Sequence, residues 1–269
     1  MTKIAFIGGG NMATSIIGGL MAKGRDSGTI CVSDPFLENR QHLQQLFNVN
    51  TESNNADAVA DANIIVLAVK PQVMKKVCNE LRGQLPDEVL IISIAAGIPM
   101  TQLTEWLGEA CAIVRCMPNT PALVQAGATG AVANASVTAE QKSHADSILT
   151  AVGIVEWLED EALIDSVTAV SGSAPAYFFL LLEAMVSTAE KQGLPASTAR
   201  NLAVQTCIGA GLLAQKDTSE LQELRRRVTS PGGTTERAIQ ALQRGHFEKI
   251  VADAMDACLQ RSRELAKQV

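Results

Sequence analysis

The chain is poor in aromatic residues and lacks any excess of positive charge. Phe, Trp and Tyr together make up 3% of 269 residues, with a single tyrosine, which excludes the base-stacking platform of a single-strand nucleic-acid binder. The formal net charge is −6, the wrong sign for neutralising nucleic-acid phosphates or docking on an anionic membrane. Neither a nucleic acid nor a membrane is expected as a partner. Cys31, Cys78, Cys111, Cys116, Cys207 and Cys258 never form C-x-x-C, and reduced core thiols are the plain reading. His42, His144 and His246 lie far apart with no His-Glu-x-x-His or similar ligand spacing, so no metal is expected. The start, Met1-Thr2-Lys3-Ile4, runs straight into a strand pattern without the charged, apolar and cleavage-site segments of a signal peptide, and the expected location is cytoplasmic. Repeats, low-complexity tracts and long linkers are also missing.

What the chain does contain is 47% hydrophobic residues, enough to fill a sizeable core, over a length that suits two domains. Ile4-Ala5-Phe6-Ile7 is a compact apolar strand, followed by Gly8-Gly9-Gly10-Asn11-Met12-Ala13 and then by Ile16, Ile17, Leu20 and Met21 at helical spacing. Strand, glycine turn and helix in this order fit the dinucleotide fingerprint G-x-G-x-x-G/A. Gly8 makes the turn, Gly10 lets the backbone approach a pyrophosphate, and Ala13 allows close helix packing. Thr29-Ile30-Cys31-Val32 reads as the second strand, ending at Ser33-Asp34-Pro35, about 20 residues on, where the ribose-reading residue belongs. Two readings stay open there. Asp34 facing the ribose would favour NAD, whereas Ser33 in that place with Arg40 nearby would accept the 2′-phosphate of NADP. The reading leans towards NADP(H), with NAD(H) as the alternative.

Further apolar strands at 64–69, 89–94 and 112–117 end in Lys70-Pro71, Ala95-Ala96-Gly97 and Pro118-Asn119-Thr120-Pro121. Small and polar residues thus follow the strand ends, where open α/β sheets bind ligands. Helical patterns near 37–47, 72–81, 100–107 and 139–150 complete the alternation of a doubly wound, Rossmann-type sheet. After a last strand at 153–158 the remainder reads as helical, which sets the expected boundary between a domain at 1–160 and an all-α domain at 161–269. In the second part, Ser171-Gly172-Ser173-Ala174-Pro175-Ala176-Tyr177 opens a helix whose run Phe178 to Leu182 is apolar nearly all round. That run is too short to span a bilayer and predicts burial against a second copy of the chain. Glu183 within it reads as an acid with an internal partner, or as a counter-charge for a cationic substrate. Arg225-Arg226-Arg227 reads as a solvated helix end, with Arg227 also a candidate to hold an acidic substrate. Next comes Ser230-Pro231-Gly232-Gly233-Thr234-Thr235, a sharp turn running into a helix start. Exposed N–H groups and the positive end of the helix dipole at such a place suit a small carboxylate, and the bland alternative is an ordinary loop and cap. Closing helices are expected over 234–242 and 247–265.

Gly-Gly-Gly-Asn-Met-Ala at 8–13, Ala-Val-Lys-Pro at 68–71, Ser-Ile-Ala-Ala-Gly at 93–97, Arg-Cys-Met-Pro-Asn-Thr-Pro at 115–121, Ser-Gly-Ser-Ala-Pro-Ala-Tyr at 171–177 and Ser-Pro-Gly-Gly-Thr-Thr at 230–235 together resemble the pyrroline-5-carboxylate reductase family. The resemblance runs in order along nearly the whole chain. One departure is Ala174, where the family usually has glycine. The resemblance implies reduction of 1-pyrroline-5-carboxylate to L-proline with NADPH or NADH, the last step of proline biosynthesis. It also implies a Rossmann domain followed by a helical dimerisation domain, and a homodimer that can assemble into larger rings. Carried over by position, Gly8, Gly10, Asn11 and Met12 would hold the cofactor phosphates and Ser33 and Asn55 the adenosine half. Ala68, Lys70, Pro71, Ala95, Ala96 and Gly97 would frame the nicotinamide side, and Asn119 would also contact the cofactor. The substrate would lie among Ser173, Ser230, Gly232, Gly233, Thr234 and Thr235, with the Thr235 hydroxyl on the ring nitrogen as the catalytic contact.

The residue types fit that chemistry on their own terms. Adding hydride to an already protonated imine neutralises its charge and demands no proton transfer, whereas reducing a ketone requires an acid. What is needed is orientation, with carbon and hydride held at about 3–3.5 Å, and backbone amides with one hydroxyl can provide it. A 3-hydroxyacid dehydrogenase shares the layout but resembles its relatives in a lysine early in the second domain. Ser173 to Ala189 contains none, and Lys191 comes too late. A non-enzymatic dinucleotide-binding sensor would be expected to have lost the Ser-Pro-Gly-Gly-Thr-Thr run, which is intact.

Overall fold

The computed structural model describes residues 1–267. The first part alternates strand and helix: β1 (Ile4–Ile7), α1 (Asn11–Ala22), β2 (Ile30–Ser33), α2 (Leu37–Phe47), β3 (Asn50–Glu52), α3 (Asn55–Val59), β4 (Ile64–Leu67), α4 (Pro71–Leu81), β5 (Leu90–Ser93), α5 (Met100–Leu107) and β6 (Ala112–Met117). It closes with β7 (Gly127–Ala133), α6 (Ala139–Leu149) and β8 (Gly153–Trp157). The eight strands form one sheet in the order β3-β2-β1-β4-β5-β6-β7-β8. All neighbours are parallel except β6 with β7. The order 3-2-1-4-5-6 is that of a doubly wound dinucleotide fold, whose crevice opens where the order reverses between β1 and β4.

Alternation along each strand divides the core in two. Ile4 and Phe6 pack with Ile16, Ile17, Val32 and Leu43 on one face. Ala5 and Ile7 pack with Leu67, Met74, Ile91 and Ile113 on the other. Side chains of successive strand residues point to opposite faces, so a strand covered on both sides must be apolar throughout. This is why β1, β4 and β5 read so plainly in the sequence. β3 and β7 do not: Asn-Thr-Glu is polar, and Gly-Ala-Thr-Gly-Ala-Val-Ala has low strand propensity. β7 is a strand because β6 and β8 pair with it on both sides.

The remaining elements are α7 (Ile164–Val167), α8 (Ala174–Lys191), α9 (Ala196–Lys216), α10 (Leu221–Arg227), α11 (Thr234–Arg244) and α12 (Phe247–Ala266). The chain divides into two compact units, one of residues 1–173 with the described residues from 258 onward and one of residues 174–257. This differs from the boundary expected near 160. Specific contacts tie 161–173 and the last turns of α12 to the first unit: Arg115 pairs with Glu161, the Ser262 hydroxyl donates to Asp165 Oδ1 at 2.7 Å, and Cys258 Sγ donates to Ser173 Oγ at 3.2 Å.

The helix does not open at Ser171, as the motif suggested. Helical geometry begins at Glu161 and continues to Lys191, a stretch of 31 residues that contains an 18-residue window of mean hydropathy 1.4. By length and composition that stretch could cross a membrane, which corrects the expectation of a run too short to do so. Ile164 and Ala169 at its start are nevertheless buried. In the second unit Phe178, Phe179 and Leu180 are 56%, 60% and 68% exposed, and Glu183 is exposed in the single chain as well. A contiguous apolar face of this kind marks an interaction surface.

Candidate active site

The strand ladder decides where the predicted cofactor residues emerge. Ile7 lies level with Ser33 and Leu67, Leu67 with Ser93, and Ser93 with Arg115. The residues that follow β1, β2, β4 and β5 therefore leave one edge of the sheet together, Gly8, Asp34, Ala68 and Ile94, while β6 runs on through Cys116 to Met117. Gly8 has φ +101°, and a Cβ there would stand 2.8 Å from the Ala68 carbonyl oxygen. Only glycine fits that crossing of β1 and β4. The Gly8 N–H donates to Ser33 O at 2.8 Å. Gly10 is the N-cap of α1, extended, with no side-chain capping bond and no acidic residue in the first turn. A Cβ at Gly10 would meet nothing within 4 Å, so the donors of Asn11 and Met12 stand at an open, electropositive helix end. Ala13 is fully buried against the core.

At the end of β2, the Ser33 hydroxyl donates to Asn55 Oδ1 at 2.7 Å. Both residues line a cleft of about 660 Å³ with Gly8, Pro35, Asn54 and Ala56. The two adenosine-side residues are thus partners in one wall. Asp34 is turned away from such a role, since its carboxylate accepts from Gly9 N at 2.8 Å, Phe36 N at 2.9 Å and Asn39 Nδ2 at 3.1 Å. Lys70 is the exposed N-cap of α4 and Pro71 its first residue, a position where the missing N–H costs nothing. Ala95 is buried, Ala96 exposed, and Gly97 turns the chain at φ +75°.

Asn119 performs a task that sequence reasoning missed. Pro175 has no N–H, so the carbonyl four residues earlier, Ser171, loses its helical partner. The Asn119 amide donates to Ser171 O at 3.1 Å, while its oxygen accepts from Ala128 N at 2.9 Å. A π-helical turn over Thr168–Gly172, with Ser173 N donating to Thr168 O at 2.8 Å, presents that carbonyl. The clue in the sequence was Pro175 within a helical pattern. Ser173 is half-buried, its hydroxyl taken by Cys258.

In the second unit, Pro231 and Gly232 occupy the corners of a turn closed by Gly233 N donating to Ser230 O at 3.0 Å, with Gly232 at φ +75°. Proline followed by a positive-φ glycine is the type II pattern. Gly233 is then the extended N-cap of α11, whose first residues are Thr234 and Thr235. Glu236 reaches back to accept from Gly232 N at 2.9 Å, a brace signalled only by an acid three residues after the cap. Arg227, offered as a holder of acidic substrate, is committed elsewhere. Its guanidinium donates to Asp217 at 2.7 Å, Ser219 at 2.9 Å and Glu223 at 3.2 Å. Hydrogen bonding from Arg226, with a further contribution from Arg227, draws the Glu223 carboxyl down to about 2. The arginines fasten the end of α10 ahead of the turn.

Strand order, open glycine turn and cleft at the strand edge define a dinucleotide-binding protein of the Rossmann type, followed by helices. A family described as pyrroline-5-carboxylate reductase dimerisation matches residues 161–265. One described as NADP oxidoreductase, coenzyme F420-dependent, matches residues 3–97. The chain is 54% identical over 267 residues to a pyrroline-5-carboxylate reductase of Pseudomonas aeruginosa, covering 99% of this chain and 98% of that one. The structure of a pyrroline-5-carboxylate reductase from Coxiella burnetii is similar with a TM-score of 0.95 at 44% identity, covering 98% of each chain. That of the Plasmodium falciparum pyrroline carboxylate reductase with NADP bound has a TM-score of 0.87 at 29% identity, again covering 98% of each chain. The chain belongs to the pyrroline-5-carboxylate reductase family.

Proposed function

We propose that this chain reduces 1-pyrroline-5-carboxylate to L-proline with NADPH as the preferred donor, the last step of proline biosynthesis. The observation that carries the reading is the end-to-end match to reductases of that name, at 54% identity over 99% of the chain. The uncapped first turn of α1 and the bare Gly10 fit a pyrophosphate at Gly8, Gly10, Asn11 and Met12. Ser33 and Asn55, with an exposed cleft in front of them, suit the adenosine ribose. The inward carboxylate of Asp34 removes the group that would repel a 2′-phosphate, which supports NADP(H) over NAD(H). Ala68, Lys70, Pro71, Ala95, Ala96, Gly97 and Asn119 frame the nicotinamide end, and the bound dinucleotide supplies the hydride.

Ser173, Ser230, Gly232, Gly233, Thr234 and Thr235 receive the substrate. Backbone donors at the start of α11 hold its carboxylate, and the Thr235 hydroxyl fixes the ring nitrogen. Hydride adds to the carbon of the protonated imine, the C=N π pair returns to nitrogen, and no proton moves. Thr235 therefore orients the ring and transfers nothing. The apolar face of α8 joins two copies into a homodimer, which assembles into larger rings in the cytoplasm. The functional division runs near residue 160, where the dimerisation match begins. The test is loss of NADPH absorbance with pyrroline-5-carboxylate and, separately, with a 3-keto acid. Consumption with the first alone is expected, and consumption with neither rules out the enzyme.

A further inference from the structure

An aspartate just past the second strand of a dinucleotide fold ordinarily turns its carboxylate outward to the ribose. Asp34 does not. It is 5% exposed, and three of a carboxylate's roughly four lone-pair sites are already used. Oδ2 accepts from Gly9 N at 2.8 Å and Asn39 Nδ2 at 3.1 Å, and Oδ1 accepts from Phe36 N at 2.9 Å. Arg40, the nearest cation in sequence, donates to the Asp34 carbonyl at 2.6 Å. Gly9 is the middle of the glycine turn. On one side Gly8 N is anchored to Ser33 O, and on the other Gly10 caps α1.

We infer that Asp34 is a positioning residue that clamps the glycine turn from below, aiming the N–H groups of Gly10 to Met12 at the dinucleotide phosphates, and that it does not read the ribose. Choice between NADPH and NADH then falls to Ser33 and Asn55, which line the cleft. The inference rests on the proposed dinucleotide site and adds a role to a residue outside it. Asparagine is a poor replacement, because one of its two ends is a donor and would face the N–H of Gly9 or Phe36.

The test is binding of NADPH and NADH, each alone, to the full chain carrying Asp34→Asn, with Ser33→Ala as the contrast. Wild-type binding is measured first, and its absence would refute the dinucleotide site itself. For Asp34→Asn both dissociation constants rise by about tenfold, as expected when a charge-assisted hydrogen bond is lost. Their ratio stays within about twofold, and KM for the imine, at saturating cofactor, is unchanged. Ser33→Ala changes the ratio. A selective loss of NADH with Asp34→Asn would make the aspartate a ribose reader, and unchanged binding of both would make it a loop brace without bearing on the cofactor; either overturns the inference. If Asp34→Asn does not fold, Asn39→Ala, which removes one donor from the same carboxylate, decides by the same pattern. It weakens both dinucleotides in parallel by about two- to threefold, and a ratio change or no change overturns the inference.

Discussion

Replacing Asn119 with alanine removes two hydrogen bonds at once, one to Ser171 O at 3.1 Å and one from Ala128 N at 2.9 Å. The asparagine is 8% exposed, whereas Ser171 and Ala128 are half-buried. A buried group left without its partner costs about 1–3 kcal/mol, and partial access to water places each at the lower end. The sum is about 2–3 kcal/mol. For a chain of this size each kcal/mol shifts the midpoint by about 2–4 °C, so the variant melts about 5–10 °C lower. Asn119→Asp separates the two bonds, because a carboxylate still accepts from Ala128 N but presents only acceptors to the Ser171 carbonyl. It should be at least as unstable as alanine at neutral pH. Scanning calorimetry at one fixed protomer concentration is the assay, since association also moves the midpoint. A shift under about 2 °C for both variants would mean that Pro175 leaves no carbonyl in need of a partner, and the bracket would be incidental.

Thr235→Ala lowers kcat/KM for the imine by about 10–100-fold, the range for one or two charge-assisted bonds, with NADPH binding unchanged; an unaltered kcat/KM removes Thr235 from the site. Phe179→Asp places a charge on an apolar face, and sedimentation should show a smaller species than the parent, whereas an unchanged assembly would mean that the 60% exposed Phe179 lies outside the interface. Burial pushes the Cys78 and Cys116 thiols up to about 12, so at pH 8 almost none of either is thiolate. Intact mass after brief alkylation of the native chain should show both unmodified, with labelling appearing on denaturation.

The sequence was most legible where physical demands were simple. β1, β4 and β5 must be apolar on both faces, and the pattern shows it. The glycine turn was legible because the crossing of β1 and β4 at Gly8 admits no side chain. What stayed hidden was held by partners distant in the chain. β7 has the composition of a loop and is a strand because two neighbours hydrogen-bond to it. From the sequence the helical stretch from Glu161 reads as starting late, because the π turn around Ser171 interrupts its period. For Asp34 and Arg227 the sequence leaves alternatives open, and only geometry shows which donors and acceptors they engage. Asn119 was singled out on family resemblance as a cofactor contact, yet the duty its side chain displays is to a carbonyl freed by a proline 56 positions later.

The two proposed anion sites use one backbone device with different charge settings. Gly10 and Gly233 are both extended glycine N-caps without a side-chain capping bond, heading helices of 12 and 11 residues. Each helix end carries roughly half a positive charge. At α1 the carboxylate that takes the N–H before the cap, Asp34 on Gly9, comes from the end of β2, and nothing acidic stands in the first turn itself. At α11, Glu236 sits in the first turn and takes up the Gly232 N–H. An acid within the first turn itself weakens the positive field there, which suits a single carboxylate that must also leave as part of the product. Holding proline's carboxylate too strongly would slow its release without helping hydride transfer, because binding that is equal in ground and transition states does not raise kcat. Glu236→Gln keeps an acceptor for Gly232 N and removes the charge. It should tighten proline as a product inhibitor by about two- to fivefold, the size of one helix-end charge effect, while leaving NADPH affinity alone. Weaker inhibition by proline would mean that Glu236 braces the turn and does not moderate its charge.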